Sequence, residues 1–120
     1  LRGMHYQVNG SEEAKLVRCV RGKIWDVIID IRKTSKTYCN YFSIELSEDN
    51  NKMLYIPEGF AHGFISLEDN SDVIYQVSNY YSSQNECGIR WNDKSFNIKW
   101  PVNNPIVSAK DSTHPDFIKN

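Results

Sequence analysis

"KLVRCVRGKIWDVIIDIR", residues 15–32, carries the densest β signal in the chain, and Arg21–Gly22 interrupts it near the middle. A two-residue turn there predicts a hairpin between strands 15–20 and 23–32. Val20 then lies opposite Lys23, Val17 opposite Asp26 and Lys15 opposite Ile28. Side chains alternate across a strand, so one face carries Lys15, Val17, Cys19, Ile24, Asp26 and Ile28, and the other Trp25, Val27, Ile29 and Ile31. In this register Lys15 and Asp26 are diagonal neighbours, about 7–8 Å apart at the backbone and within reach of an ion pair.

The same texture extends in both directions. "TYCNYFSIEL", "KMLYIPE", "AHGFISLE" and "DVIYQVSNYY" are short apolar runs, separated by turn-formers such as "SEDNN" at 47–51 and "EDNSD" at 68–72. Regular spacing of such runs predicts an all-β sandwich or barrel. No sustained helical stripe competes with it. With 120 residues and 40% hydrophobic content, the chain suits one domain over 1–120. After Asp111, the polar stretch 112–120 is expected to lie loosely on the surface.

Charge and cysteine content exclude several classes. A formal net charge of -1 provides no global field for nucleic acid or an anionic membrane, so any anion binding must be local. No run is long enough to span a bilayer. Cys19, Cys39 and Cys87 are odd in number and widely spaced, which suits a reduced cytoplasmic setting rather than a disulfide framework. The chain opens on Leu1 inside a strand-like stretch, which implies that a natural N-terminal segment precedes it.

Three features point to chemistry. Asp26 sits in "KIWDVIID" among apolar neighbours, and a buried carboxylate requires a cation or several donors. Lys15 or an arginine is the available partner. In "IPEGFAHGF", residues 56–64, Pro57, Gly59 and His62 resemble the second motif of cupin barrels, whose histidine is often a metal ligand. The first cupin motif, HxH followed by a glutamate, is absent. His5, His62 and His114 are the only histidines, and the tail position of His114 argues against a three-histidine metal site. His5 lies in "RGMH", where Gly3 permits close backbone approach and Arg2 offers a fork to a phosphate or carboxylate. Tyr75 and Tyr81 add phenols.

Taken in order, "LRGMHYQ", residues 15–35, "LYIPEGFAHGF", "IYQVSNYYS", "IRWND", "IKWP" and "SAKD" resemble the dTDP-4-dehydrorhamnose 3,5-epimerase family along nearly the whole chain. The resemblance implies a cupin-type jelly roll, a homodimer, and a cofactor-free epimerase of a 4-keto-6-deoxyhexose nucleotide. It further implies that His5 is the general base, Tyr75 the group on the opposite sugar face, Lys15 the cation at the C4 oxygen and Asp111 the acid orienting the base. Asp26 is a second orienting candidate, for His62 or for Lys15. Arg2, His62, Tyr81, Glu86 and Lys110 correspond to substrate-binding positions, with Arg2 and Lys110 suited to a diphosphate. Members of this family carry several dozen residues before the "LRG" motif. Two other readings compete: a catalytically silent sugar-nucleotide-binding barrel, and a metal-dependent cupin enzyme.

Overall fold

A computed structural model describes residues 1–119. Eight strands form two antiparallel sheets: β1 (Arg2–Gln7), β2 (Lys15–Arg21), β3 (Lys23–Asp30), β4 (Tyr41–Ser47), β5 (Met53–Ile56), β6 (Phe60–Ser66), β7 (Asp72–Val77) and β8 (Glu86–Gly88). One sheet has the order β4-β3-β6-β1-β8, the other β5-β2-β7. One short helix, α1 (Ala109–Ser112), follows. This is the all-β sandwich that the spacing of apolar runs predicts, with the cupin-type jelly-roll form that the resemblance implies.

The strands expected at 15–20 and 23–32 form, as Lys15–Arg21 and Lys23–Asp30, but they do not pair with each other. β2 is flanked by β5 and β7, and β3 by β4 and β6. Arg21–Gly22 is therefore a corner between sheets rather than a hairpin turn. Gly22 adopts a φ of +76°, and a Cβ there would meet Ser71 Oγ at 2.4 Å. The corner is tied across the chain, with Ser71 Oγ accepting from the Lys23 N–H at 3.2 Å.

The predicted faces survive this correction because alternation belongs to each strand separately. Val17, Cys19, Ile24 and Ile28 do meet, joined by Leu46 and Ile56, as a core between the two sheets. Val27 and Ile29 join Met4, Ala61, Ile89 and Phe96 on the other side of the five-stranded sheet, and Trp25 and Ile31 pack against them. Ile29 is fully buried there, so truncation to alanine is expected to cost about 2–5 kcal/mol.

Residues 112–119 run along the surface, tied to the body at several points. Asp93 Oδ2 accepts from the Phe117 N–H at 2.8 Å, and the Arg90 guanidinium donates to the His114 carbonyl at 2.9 Å and to Asp116 at 2.6 Å. The Phe117 ring lies 5.0 Å from that of Phe96. Aromatic packing and partly buried hydrogen bonds hold down a segment whose polar composition reads as free. Among the described residues, all three cysteines are free, and no helix is long and apolar enough to cross a membrane.

Candidate active site

The site begins with two glycines that bring β1 against β6. Gly3 has a φ of +117°, and a Cβ on it would lie 2.5 Å from the Gly63 Cα. A Cβ on Gly63 would in turn meet the Arg2 carbonyl oxygen at 2.8 Å. Only residues without side chains permit this approach. It sets His5 directly opposite His62, while on its other side His5 faces Gly88 and Gln7 faces Glu86. From the second sheet, β2 and β7 bring Lys15 opposite Val77 and Val17 opposite Tyr75.

Between the sheets lies a cavity of about 260 Å³, near the lower end for small-molecule sites. His5, His62, Glu86 and Arg2 line it from the five-stranded sheet, Lys15 and Tyr75 from the three-stranded one, and Tyr81 from the loop that follows β7. Asp111 and Asp26 stand behind this lining, bonded to His5 and His62, while Lys110 is exposed outside it and pairs with Glu86 of the lining.

Asp111 reaches its place because Ser108 caps α1, accepting from the Asp111 N–H at 3.1 Å. The carboxylate is 4% exposed. Its Oδ1 lies 2.6 Å from His5 Nε2, and its Oδ2 accepts the Gly3 N–H at 3.1 Å. Burial pushes the carboxyl pKa up, but the bonds from His5 and Gly3 outweigh it and leave Asp111 below the usual carboxylate range. For His5 the balance runs the other way. Burial lowers its pKa more than the neighbouring Asp111 and Glu86 raise it, so the ring favours its neutral form. With Nε2 engaged by Asp111, Nδ1 is left to take a proton.

Lys15 is also depressed by burial, against the opposing pull of Glu13 and, more weakly, Asp26. Its ammonium lies 3.6 Å from Glu13. Asp26 is paired not with lysine or arginine but with His62, at 2.6 Å. The diagonal Lys15–Asp26 pair therefore does not form, because the two residues lie on strands of different sheets. Glu86 sits below its ordinary value, since Lys110 and His5 outweigh its burial.

Three site residues were missed in the sequence. Glu13 lies two places before Lys15 in the surface-like run "SEEAK". Gln7 shares alternation with His5, lines the cavity, and is 8% exposed with a buried Oε1 that has no hydrogen-bond partner among the described residues. His114, assigned to the free tail, lies 3.3 Å from Asp111 Oδ1. Its signal was the three-residue spacing from Asp111, one helical turn. His5, Asp111 and His114 offer ligand atoms within 4.8 Å of one another, a two-imidazole, one-carboxylate set of the kind that holds divalent metals. In this geometry those atoms bond one another.

Comparison with known proteins gives a consistent result. The chain is 49% identical to the dTDP-4-dehydrorhamnose 3,5-epimerase of Shigella flexneri over 98% of its own length. It spans about 65% of that relative's length. The crystal structure of the Bacillus anthracis enzyme with TDP and pyrophosphate bound superposes with a TM-score of 0.94 at 44% identity, covering 97% of this chain and 66% of that one. The Legionella pneumophila enzyme, in complex with dTDP-4-keto-L-rhamnose, gives 0.89 at 36% identity, covering 94% and 60%. The family model described as dTDP-4-dehydrorhamnose 3,5-epimerase matches residues 1–119. The chain belongs to the dTDP-4-dehydrorhamnose 3,5-epimerase family.

Proposed function

We propose that the cavity epimerises a 4-keto-6-deoxyhexose nucleotide of the dTDP-4-dehydro-6-deoxyglucose type, at C3, C5 or both. The ketone at C4 acidifies the hydrogens on its neighbouring carbons. His5 takes one such proton on its free ring nitrogen, and the C–H electrons become a C=C bond while O4 takes up the negative charge. Lys15 stabilises that enolate oxygen with an ammonium that burial has partly stripped of water. Tyr75 then gives its phenolic proton to the same carbon from the other face. The C=C electrons form the new C–H bond, the C4 carbonyl re-forms and the configuration inverts. The phenolate and imidazolium left behind are reset by proton exchange with water.

The observation that carries this reading is the placement of His5 and Tyr75 on different sheets with one cavity between them. A base and an acid on one wall would return the proton to the face it left. Asp111 orients His5 and stabilises the imidazolium, and Asp26 holds His62. Arg2 and Lys110 serve the diphosphate, while His62, Glu86 and Tyr81 complete the substrate contacts. No bound cofactor takes part in these steps. The relatives named above, with TDP or a dTDP-sugar bound, support the nucleotide class.

The working unit is a homodimer. Met53, Tyr55 and Ile74 are each more than half exposed and share one face of the three-stranded sheet, an apolar area of the kind that oligomers cover.

Incubation with dTDP-4-dehydro-6-deoxyglucose tests the assignment. Proton NMR is expected to show conversion to the epimerised 4-keto sugar. Calorimetric binding without any conversion would instead identify a silent sugar-nucleotide-binding barrel.

A further inference from the structure

His114 has no place in the scheme above, yet it is built into the core of it. Its Nε2 lies 3.3 Å from Asp111 Oδ1, the same oxygen that His5 Nε2 meets at 2.6 Å. The two imidazoles stand edge to face, with centroids 6.0 Å apart and planes at 83°. Arg90 fixes the His114 carbonyl from the other side.

Room for this second ring comes from a missing side chain. Gly88 is the direct cross-strand partner of His5, and a Cβ on Gly88 would lie 2.1 Å from His114 Cε1. Any other residue at 88 would push the ring off Asp111. The sheet thus leaves a gap beside the base, and the C-terminal segment fills it with an imidazole.

We propose that His114 is a positioning residue that acts through Asp111, donating its Nε2–H to Oδ1 so that the carboxylate is held in one rotamer and its pull on His5 is reduced. A carboxylate oxygen that accepts two bonds gives less of its charge to each donor. Two consequences follow. Asp111 stays aligned with His5 through the proton-transfer cycle, and His5 remains neutral at lower pH than a single carboxylate partner would allow. The other charged groups around this trio are Glu86 and Arg2 near His5, and Lys110 and the Leu1 amino group near Asp111. Arg90 and Asp116 flank the His114 backbone. None of them changes in the variants below.

The catalytic half of this inference rests on the proton-transfer reading, so the test begins with a measurement that needs no substrate. The His5 Cε1 resonance is titrated by NMR in the wild-type chain, His114→Leu and His114→Gln. Leucine fills the space over Gly88 without a donor, whereas glutamine fills it with an N–H. His5 is expected to titrate about half a pH unit higher in His114→Leu and near the wild-type position in His114→Gln. Gly88→Ala, which displaces the ring without removing it, is expected to behave like His114→Leu. In turnover, His114→Leu should lower kcat roughly 3–30-fold with little change in KM, and glutamine should restore most of it. Identical His5 titrations in the leucine and glutamine variants would overturn the proposal, whatever the activity. A moved titration without substrate turnover would leave His114 in its role and reject the assigned reaction instead.

Discussion

Two neighbouring histidines of the five-stranded sheet each pair with a carboxylate at 2.6 Å, His5 with Asp111 of α1 and His62 with Asp26 of β3. Their surroundings differ. Asp111 has both oxygens engaged, by His5, His114 and the Gly3 N–H. Asp26 is fully buried, and its Oδ2 has no hydrogen-bond partner among the described residues. A short contact therefore does not assign a role; the environment of the carboxylate does. In the proposed reaction Asp111 supports a partner that gains and loses charge, whereas Asp26 is sealed in the sheet beneath a histidine of the cavity wall.

Substitutions at the two acids sharpen this contrast most. Asp111→Asn keeps the shape and removes the charge, so kcat is expected to fall about 10²–10³-fold while thermal stability changes little. Asp26→Ala should act chiefly on the fold, since it leaves a buried histidine without its partner. A loss of about 3–5 kcal/mol in chemical denaturation is expected, with the remaining folded protein more active than Asp111→Asn. If the two variants exchange these phenotypes, the functional ranking of the pairs is reversed.

Effects at the second sheet should be smaller. Lys15→Met removes the cation without emptying the space, and about a 10²-fold drop in kcat is expected from steady-state kinetics. Tyr75→Phe should separate two rates, since abstraction by His5 continues while delivery from the other face fails. Loss of epimerised product is expected to exceed loss of solvent exchange by about tenfold. Equal losses would place both transfers on one wall.

The smallest effect is a shift in pH dependence. Burial lowers the His5 pKa, so the neutral base persists on acidification. The acid limb of kcat/KM is therefore expected below the ordinary imidazole value of about 6.5. A limb above that value would mean that Asp111 and Glu86 outweigh burial.

The sequence was legible where the physics is local. Alternation in residues 15–32 predicts which side chains share a core, and Gly3 signals a close backbone approach, which the structure shows to be that of β1 to β6 at Gly63. Pairing was not legible. Whether Arg21–Gly22 turns back or turns a corner depends on β5 and β7 competing for β2, which no local pattern shows. Asp26 announced that it needed a partner without saying which, and the pairing of β3 with β6 in one sheet chose His62 over Lys15, which lies on the other sheet. His114 was hidden for a similar reason. Its polar neighbours describe a tail, whereas its contacts arise from Gly88 and Arg90 on distant segments.

The central claim is that His5 removes a carbon-bound proton next to a ketone. It is tested most directly by incubating wild-type chain and His5→Ala with dTDP-4-dehydro-6-deoxyglucose in deuterium oxide and counting deuterium on the sugar by mass spectrometry. The account predicts label at C3, C5 or both with the wild type, and at least a 10²-fold slower appearance with folded His5→Ala. Wild-type rates of labelling in that variant would contradict it.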